Sequence, residues 1–185
     1  MAWNNTQTLP SKHYTCGHCD WKVASNLGFF SGRAGERHIR ICPHCDSPTF
    51  FSDRGGMQVP GVSPGSSVDG TPRIVQTVYD EARRSLAAGC HTGSVLLCRK
   101  LLAHIAVDQG AAANLSFLAY VNFLADKNFV PPNGRGWVDH IRKKGNEATH
   151  EITIMTREHA EELVTFLEML LKFIYEFPSR IPPSS

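Results

Sequence analysis

Two Cys-x-x-Cys pairs constrain this chain more than any other feature. Cys16-Gly17-His18-Cys19 and Cys42-Pro43-His44-Cys45 are separated by twenty-two residues. Pairs of this kind sit on tight turns that can bring four sulfurs to the corners of a tetrahedron around one ion, with Zn–S bonds of about 2.3 Å. Gly17 and Pro43 suit such turns, in which backbone N–H groups can point at sulfur. Asn26 to Gly32, Arg37 to Ile41 and Thr49-Phe50-Phe51 read as short strands around the pairs. The pattern predicts a small β zinc ribbon over residues 1–53, with structural Zn2+ on Cys16, Cys19, Cys42 and Cys45. His18 and His44 lie inside the pairs and could each replace a cysteine, but four thiolates already close the shell. A closed shell leaves no position for a substrate, which argues against catalytic zinc. So small a unit has too little core to fold on burial alone, and the metal should supply much of its stability. Trp21, Phe29 and Phe30 are expected to form its core, with Arg33, Arg37, His38 and Arg40 solvated. The competing reading makes the same residues a basic, aromatic surface for nucleic acid.

The rest of the chain has a different character. Residues 54–71 are rich in Gly, Pro and Ser without an apolar period, the composition of a flexible linker. Thr71 as N-cap and Pro72 at the first helical position open a helix bearing Ile74, Val75, Val78, Tyr79, Ala82 and Leu86, which Gly89 stops. A second helix opens at Thr92 or Ser94 and buries Val95, Leu96, Cys98, Leu101, Leu102, Ile105 and Ala106. A third runs from about Leu115 to Asp126, and a shorter one begins near Gly136-Trp137. The last is capped by Thr156, has Glu158 in its first turn and is ended by Pro178. Residues 72–177 thus read as a helical bundle, and 178–185 as a tail. The fold class expected is mainly α, with the ribbon as a small β addition. Cys90 and Cys98 lack Cys-x-x-Cys partners and are expected to be buried thiols.

Charge and composition exclude several classes. The formal charge of +2 falls to about zero once four thiolates and Zn2+ are counted, so the chain is not a polycation. Any nucleic-acid contact must use a local patch. No run of about 18 apolar residues suggests a membrane span, and the start of the sequence shows no secretory pattern. A cytoplasmic protein with no membrane partner is the expectation. No phosphate-cradling Gly loop, GxSxG elbow or HExxH motif is present.

The densest polar chemistry lies in Ile141-Arg142-Lys143-Lys144-Gly145-Asn146-Glu147-Ala148-Thr149-His150. On a helix, residues four apart drift by only about 40°, so Arg142, Asn146 and His150 would share a face. They form either a ligand-directed site or a satisfied buried network, with Arg142, Lys143 and Lys144 solvated in the second case.

With Tyr79-Asp80-Glu81-Ala82 and Cys98-Arg99-Lys100-Leu101-Leu102, this stretch resembles the bacterial and phage family called domain of unknown function 4145. That family is placed in the HEPN superfamily of helical, often RNA-acting domains, and the resemblance covers about Pro72 to Phe177. It implies a HEPN-like bundle and a homodimer. It also implies a possible endoribonuclease site, with Arg142 holding phosphate, Asn146 orienting and His150 as general acid or base. Arg99, Lys143 and Lys144 are the candidate nucleic-acid contacts; Arg99, Arg142 and Lys143 could instead hold a nucleotide or other anion. The favoured function is a nucleic-acid or protein interaction module, in a bacterial or phage defence or restriction system, with a protein partner possible through the ribbon. Metal-independent RNA cleavage is the alternative.

Overall fold

The computed structural model describes residues 3–31, 37–52, 56–131, 134, 136–139, 141 and 154–181. It divides into two units, Met1–Ser63 and Pro64–Ser185.

The first unit is an antiparallel sheet of five strands in the order β1-β2-β3-β4-β5. They are β1 (Gln7–Thr15), β2 (Lys22–Phe30), β3 (Arg37–Ile41), β4 (Pro48–Ser52) and β5 (Met57–Val59). This sheet overturns the expectation of a mainly α chain: strands and helices segregate into separate units, an α+β arrangement. Two strands account for the difference. β1 occupies a stretch whose polar, half-exposed residues show little pattern, and the pairing of Lys12 to Thr15 with Ser25 to Lys22 supplies what its own sequence does not. β5 falls within the Gly/Pro-rich stretch read as a linker, where Gln58 pairs opposite Phe51 and its amide donates to the Thr15 carbonyl at 2.8 Å.

The second unit is helical. α1 (Arg73–Ala87) and α2 (His91–Asp108) form a hairpin, followed by α3 (Phe117–Asp126) and α4 (Arg157–Leu171). α2 is the central element, packing on α1, α3 and α4. This is why its apolar residues run around the helix rather than along one stripe. The core joins Val75, Tyr79 and Ala82 of α1, Leu102 and Ile105 of α2, Val121 and Leu124 of α3, and Val164, Phe166 and Leu167 of α4. Val68, also inside the stretch read as a linker, is buried in the same core. Arg83 holds that stretch, donating to the Pro64 carbonyl at 2.8 Å and the Gly65 carbonyl at 2.7 Å. A helical turn at 136–139 begins where the shorter helix was expected, and Trp137 packs edge-on against Phe166 at 5.5 Å.

Several local expectations are corrected, each for a tertiary reason. Pro72, not Thr71, caps α1, because the Thr71 hydroxyl is engaged with Gln76 Oε1 at 2.6 Å. Neither Thr92 nor Ser94 opens α2. Ser94 Oγ donates to the Ala82 carbonyl at 2.9 Å, and Thr92 Oγ1 accepts from the Met155 amide at 3.1 Å. The last helix does not stop at Pro178. A π turn over Lys172–Glu176 resets the hydrogen-bond register, so Pro178 falls in the first turn of a new segment, Phe177–Ser179, where its missing N–H costs nothing. Cys98 is buried as expected, but Cys90 is exposed. Thr156 caps α4 as read from the sequence, its hydroxyl accepting from the His159 amide at 3.4 Å. Among the described residues, no helix is long and apolar enough to cross a membrane.

Candidate metal centre

The four sulfurs of Cys16, Cys19, Cys42 and Cys45 lie within 4.8 Å of one another, the one such cluster among the described residues. The turn between β1 and β2 supplies the first pair, and the turn between β3 and β4 the second. Across the pairs, Cys16 and Cys45 stand 3.8 Å apart and Cys19 and Cys42 3.9 Å apart. A regular tetrahedron with metal–sulfur bonds of about 2.3 Å has edges of about 3.8 Å. The residues therefore fit a four-coordinate ion closed by thiolates, and the four cysteines can hold a metal.

Each turn is built the same way, from the repeated sequence Cys-x-His-Cys-Asp. The Asp20 amide donates to the Cys16 carbonyl at 2.9 Å, and the Asp46 amide to the Cys42 carbonyl at 2.9 Å. Asp20 and Asp46 both adopt the left-handed conformation, with φ of 59° and 57°. An aspartate tolerates that region better than most residues, and it turns the chain back toward the strand. Backbone amides point at sulfur in both turns. His18 N–H reaches Cys16 Sγ at 3.5 Å and Trp21 N–H reaches Cys19, while His44 and Ser47 N–H serve Cys42 and Cys45. Such bonds favour thiolates and orient them. Gly17 has a further role: a β-carbon there would collide with the carbonyl oxygens of Pro60 and Gly61.

The surroundings are apolar. Tyr14, Cys16, Cys42 and Phe51 form the small core, with Tyr14 edge-on to Phe51 at 5.0 Å. Burial pushes the Cys19 thiol up to about 12 and raises Cys42 as well. Burial acts the same way on Cys45, but hydrogen bonds from Ser47 together with those from Cys19 and Cys42 outweigh it and bring that thiol down to about 7. Burial also raises Tyr14 to about 12, reinforced by the adjacent Cys42 and Cys16 sulfurs. A divalent cation answers this arrangement, because it replaces protons on sulfurs that cannot ionise together unaided.

The expectation that Trp21, Phe29 and Phe30 make the core of this unit is not met. Trp21 is 58 % exposed and Phe30 41 %, while Phe29 is half-buried and edge-on to Trp3. Tyr14 and Phe51 take the core positions instead, because they lie on one face of the sheet beside the cysteines. The period-2 run His13-Tyr14-Thr15-Cys16 was the signal available for Tyr14.

Arg142, Lys143, Lys144, Asn146 and His150 lie outside the described residues, so the candidate ribonuclease and phosphate-binding set acquires no geometry. Arg33 is outside them too. Arg99 is described. Its guanidinium sits 4.6 Å over the Phe117 ring, a cation–π contact between α2 and α3, and burial lowers its pKa.

A family model described as a domain of unknown function (DUF4145) matches residues 80–182. The chain belongs to the DUF4145 family. The match begins at Asp80 within α1 and covers the remaining helices, so the DUF4145 domain is the helical unit and the cysteine unit precedes it. No curated protein and no solved structure matches the chain.

Proposed function

We propose that the chain is a metal-held interaction module, with zinc as the structural ion and nucleic acid as the partner of the sheet unit. One observation carries this reading: Trp21, Phe30 and Trp3 of that unit stand outside the core that Tyr14 and Phe51 form. Trp21 is 58 % exposed and offers one ring face, the other being covered by His44 at 4.0 Å and 14°. Phe30 and Trp3 are also exposed. Exposed rings serve as stacking platforms for bases, at about 1–3 kcal/mol per base. Lys22, next to Trp21, and Arg37, on the strand paired with Phe30, are both exposed and able to meet phosphate. The site supports a structural ion, since four protein thiolates leave no position for a substrate. On this reading the sheet unit brings the DUF4145 domain to its target, as expected of a component of a bacterial or phage defence system.

Zinc loading is tested by elemental analysis of protein purified without added metal, where about one zinc per chain is expected. Binding is tested by fluorescence anisotropy with single-stranded RNA and DNA at two salt concentrations. Trp21→Ala and Phe30→Ala, with metal content confirmed, should each weaken binding by roughly five- to a hundred-fold. No binding by the wild type at low salt would retire nucleic acid and leave a protein partner, to be sought with the sheet unit as bait.

A further inference from the structure

The two hairpins that carry the cysteines are laddered together only away from the metal. β2 meets β3 through Gly28↔Arg40, Phe29↔Ile39 and Phe30↔His38. Nearer the sulfurs, Lys22 to Ser25 pair with β1. There the two hairpins are joined by side chains: Ser25 Oγ donates to the Ile41 carbonyl at 2.7 Å, and Arg40 Nη1 to the Ser25 carbonyl at 3.2 Å. Two further contacts cross from turn to turn, and both are made by the histidine of the repeat. His18, in the first turn, places Nε2 3.0 Å from the carbonyl oxygen of Pro48, beyond the second turn. A carbonyl only accepts, so Nε2 carries the proton and is spent on this bond rather than on a metal. His44, in the second turn, lies flat on Trp21, beyond the first turn, with ring centroids 4.0 Å apart.

We infer that His18 and His44 are positioning residues for the metal, a reciprocal clasp that holds the two cysteine pairs at tetrahedral spacing before the ion arrives. This rests on the four cysteines being a metal site. Each histidine is anchored beside its own pair of sulfurs and reaches across to the chain leaving the opposite pair. The clasp therefore fixes the Cys16–Cys45 and Cys19–Cys42 separations, 3.8 and 3.9 Å, that no backbone ladder sets. A ligand set held in place before binding loses less freedom when the ion is captured.

The test uses the full chain stripped of metal under reducing conditions, titrated with Co2+ and then Zn2+ against a chromophoric chelator. Wild type should give the visible spectrum of a tetrahedral four-thiolate cobalt site. His18→Ala and His44→Ala should keep that spectrum but weaken affinity by about three- to ten-fold each, the scale of one hydrogen bond or one ring pair. Their effects should multiply in the double variant, since the contacts are separate. Trp21→Ala with His44→Ala should be no worse than His44→Ala, because they remove the same contact. His18→Gln, which keeps a donor for the Pro48 carbonyl, and His44→Phe, which keeps the stack, should restore affinity where His18→Leu does not. Wild-type affinity in both alanine variants would overturn the clasp, as would equal affinity of His18→Gln and His18→Leu. A cobalt spectrum with fewer than four thiolates that changes in either variant would make that histidine a ligand and overturn it too. Failure of the wild type to bind either ion would instead sink the metal site itself.

Discussion

The two units of this chain reach a stable fold by different means. The helical unit buries Leu102, Ile105, Val121, Leu124, Val164, Phe166 and Leu167 completely or nearly so, and needs nothing but water to drive it together. The core cluster of the sheet unit is Tyr14, Cys16, Cys42 and Phe51, and two of these four are cysteines that can hold a metal. The difference teaches where the metal matters. In one unit an ion would be an ornament; in the other it would stand in for part of the core.

Removing the metal should produce the largest effect and strike one unit only. Structural zinc in small domains contributes an apparent 10–16 kcal/mol, so a strong chelator or Cys42→Ser should unfold residues of the sheet unit while the helical unit persists. Limited proteolysis with mass spectrometry would show cleavage before Ser63 and protection after it; parallel loss of far-ultraviolet helical signal would break the comparison. Acid should act on the same unit. Burial holds the Cys19 thiol up to about 12, so it carries a proton at neutral pH that the ion must displace. Loading releases protons, lower pH favours the metal-free form, and affinity measured by chelator competition should fall as pH is lowered from about 8 to 6.

The converse perturbation is Leu102→Ala, at a fully buried position of α2. It should cost about 2–5 kcal/mol in the helical transition and leave metal content unchanged, as read by calorimetry and elemental analysis. Gly17→Ala sharpens the contrast within the sheet unit. Its methyl must displace the backbone at Pro60 and Gly61, which should cost about 1–3 kcal/mol and weaken zinc binding without moving the helical melting point. The smallest effect is expected of Thr156→Ala, which removes the cap of α4 and should lower the stability of the helical unit by about 1 kcal/mol in chemical denaturation.

The sequence was most legible where one physical rule acts alone. Thr156 caps α4, its hydroxyl accepting from the His159 amide, and Val75, Tyr79, Ala82 and Leu86 of α1 face the core at the helical spacing. It was misleading where tertiary partners competed. Thr71, Thr92 and Ser94 look like caps, yet each hydroxyl is taken elsewhere: by Gln76, by the Met155 amide and by the Ala82 carbonyl. Val68 and Gln58 look like linker, yet one enters the helical core and the other pairs in β5. Part of the candidate chemistry, from Arg142 to His150, falls outside the described residues.

By itself the sequence picked out the family and the four cysteines that can hold a metal. Cysteine spacing is a covalent fact, and a Cys-x-x-Cys turn has few ways to present two sulfurs. Only the tertiary structure decided that Tyr14 and Phe51, rather than Trp21 and Phe30, form the core beside those sulfurs. It alone placed His18 against Pro48 and His44 against Trp21. The reason is that an aromatic or a histidine is equally at home inside and outside a strand. Which it becomes depends on the face it takes and on the neighbouring hairpin, and neither is written in its immediate sequence.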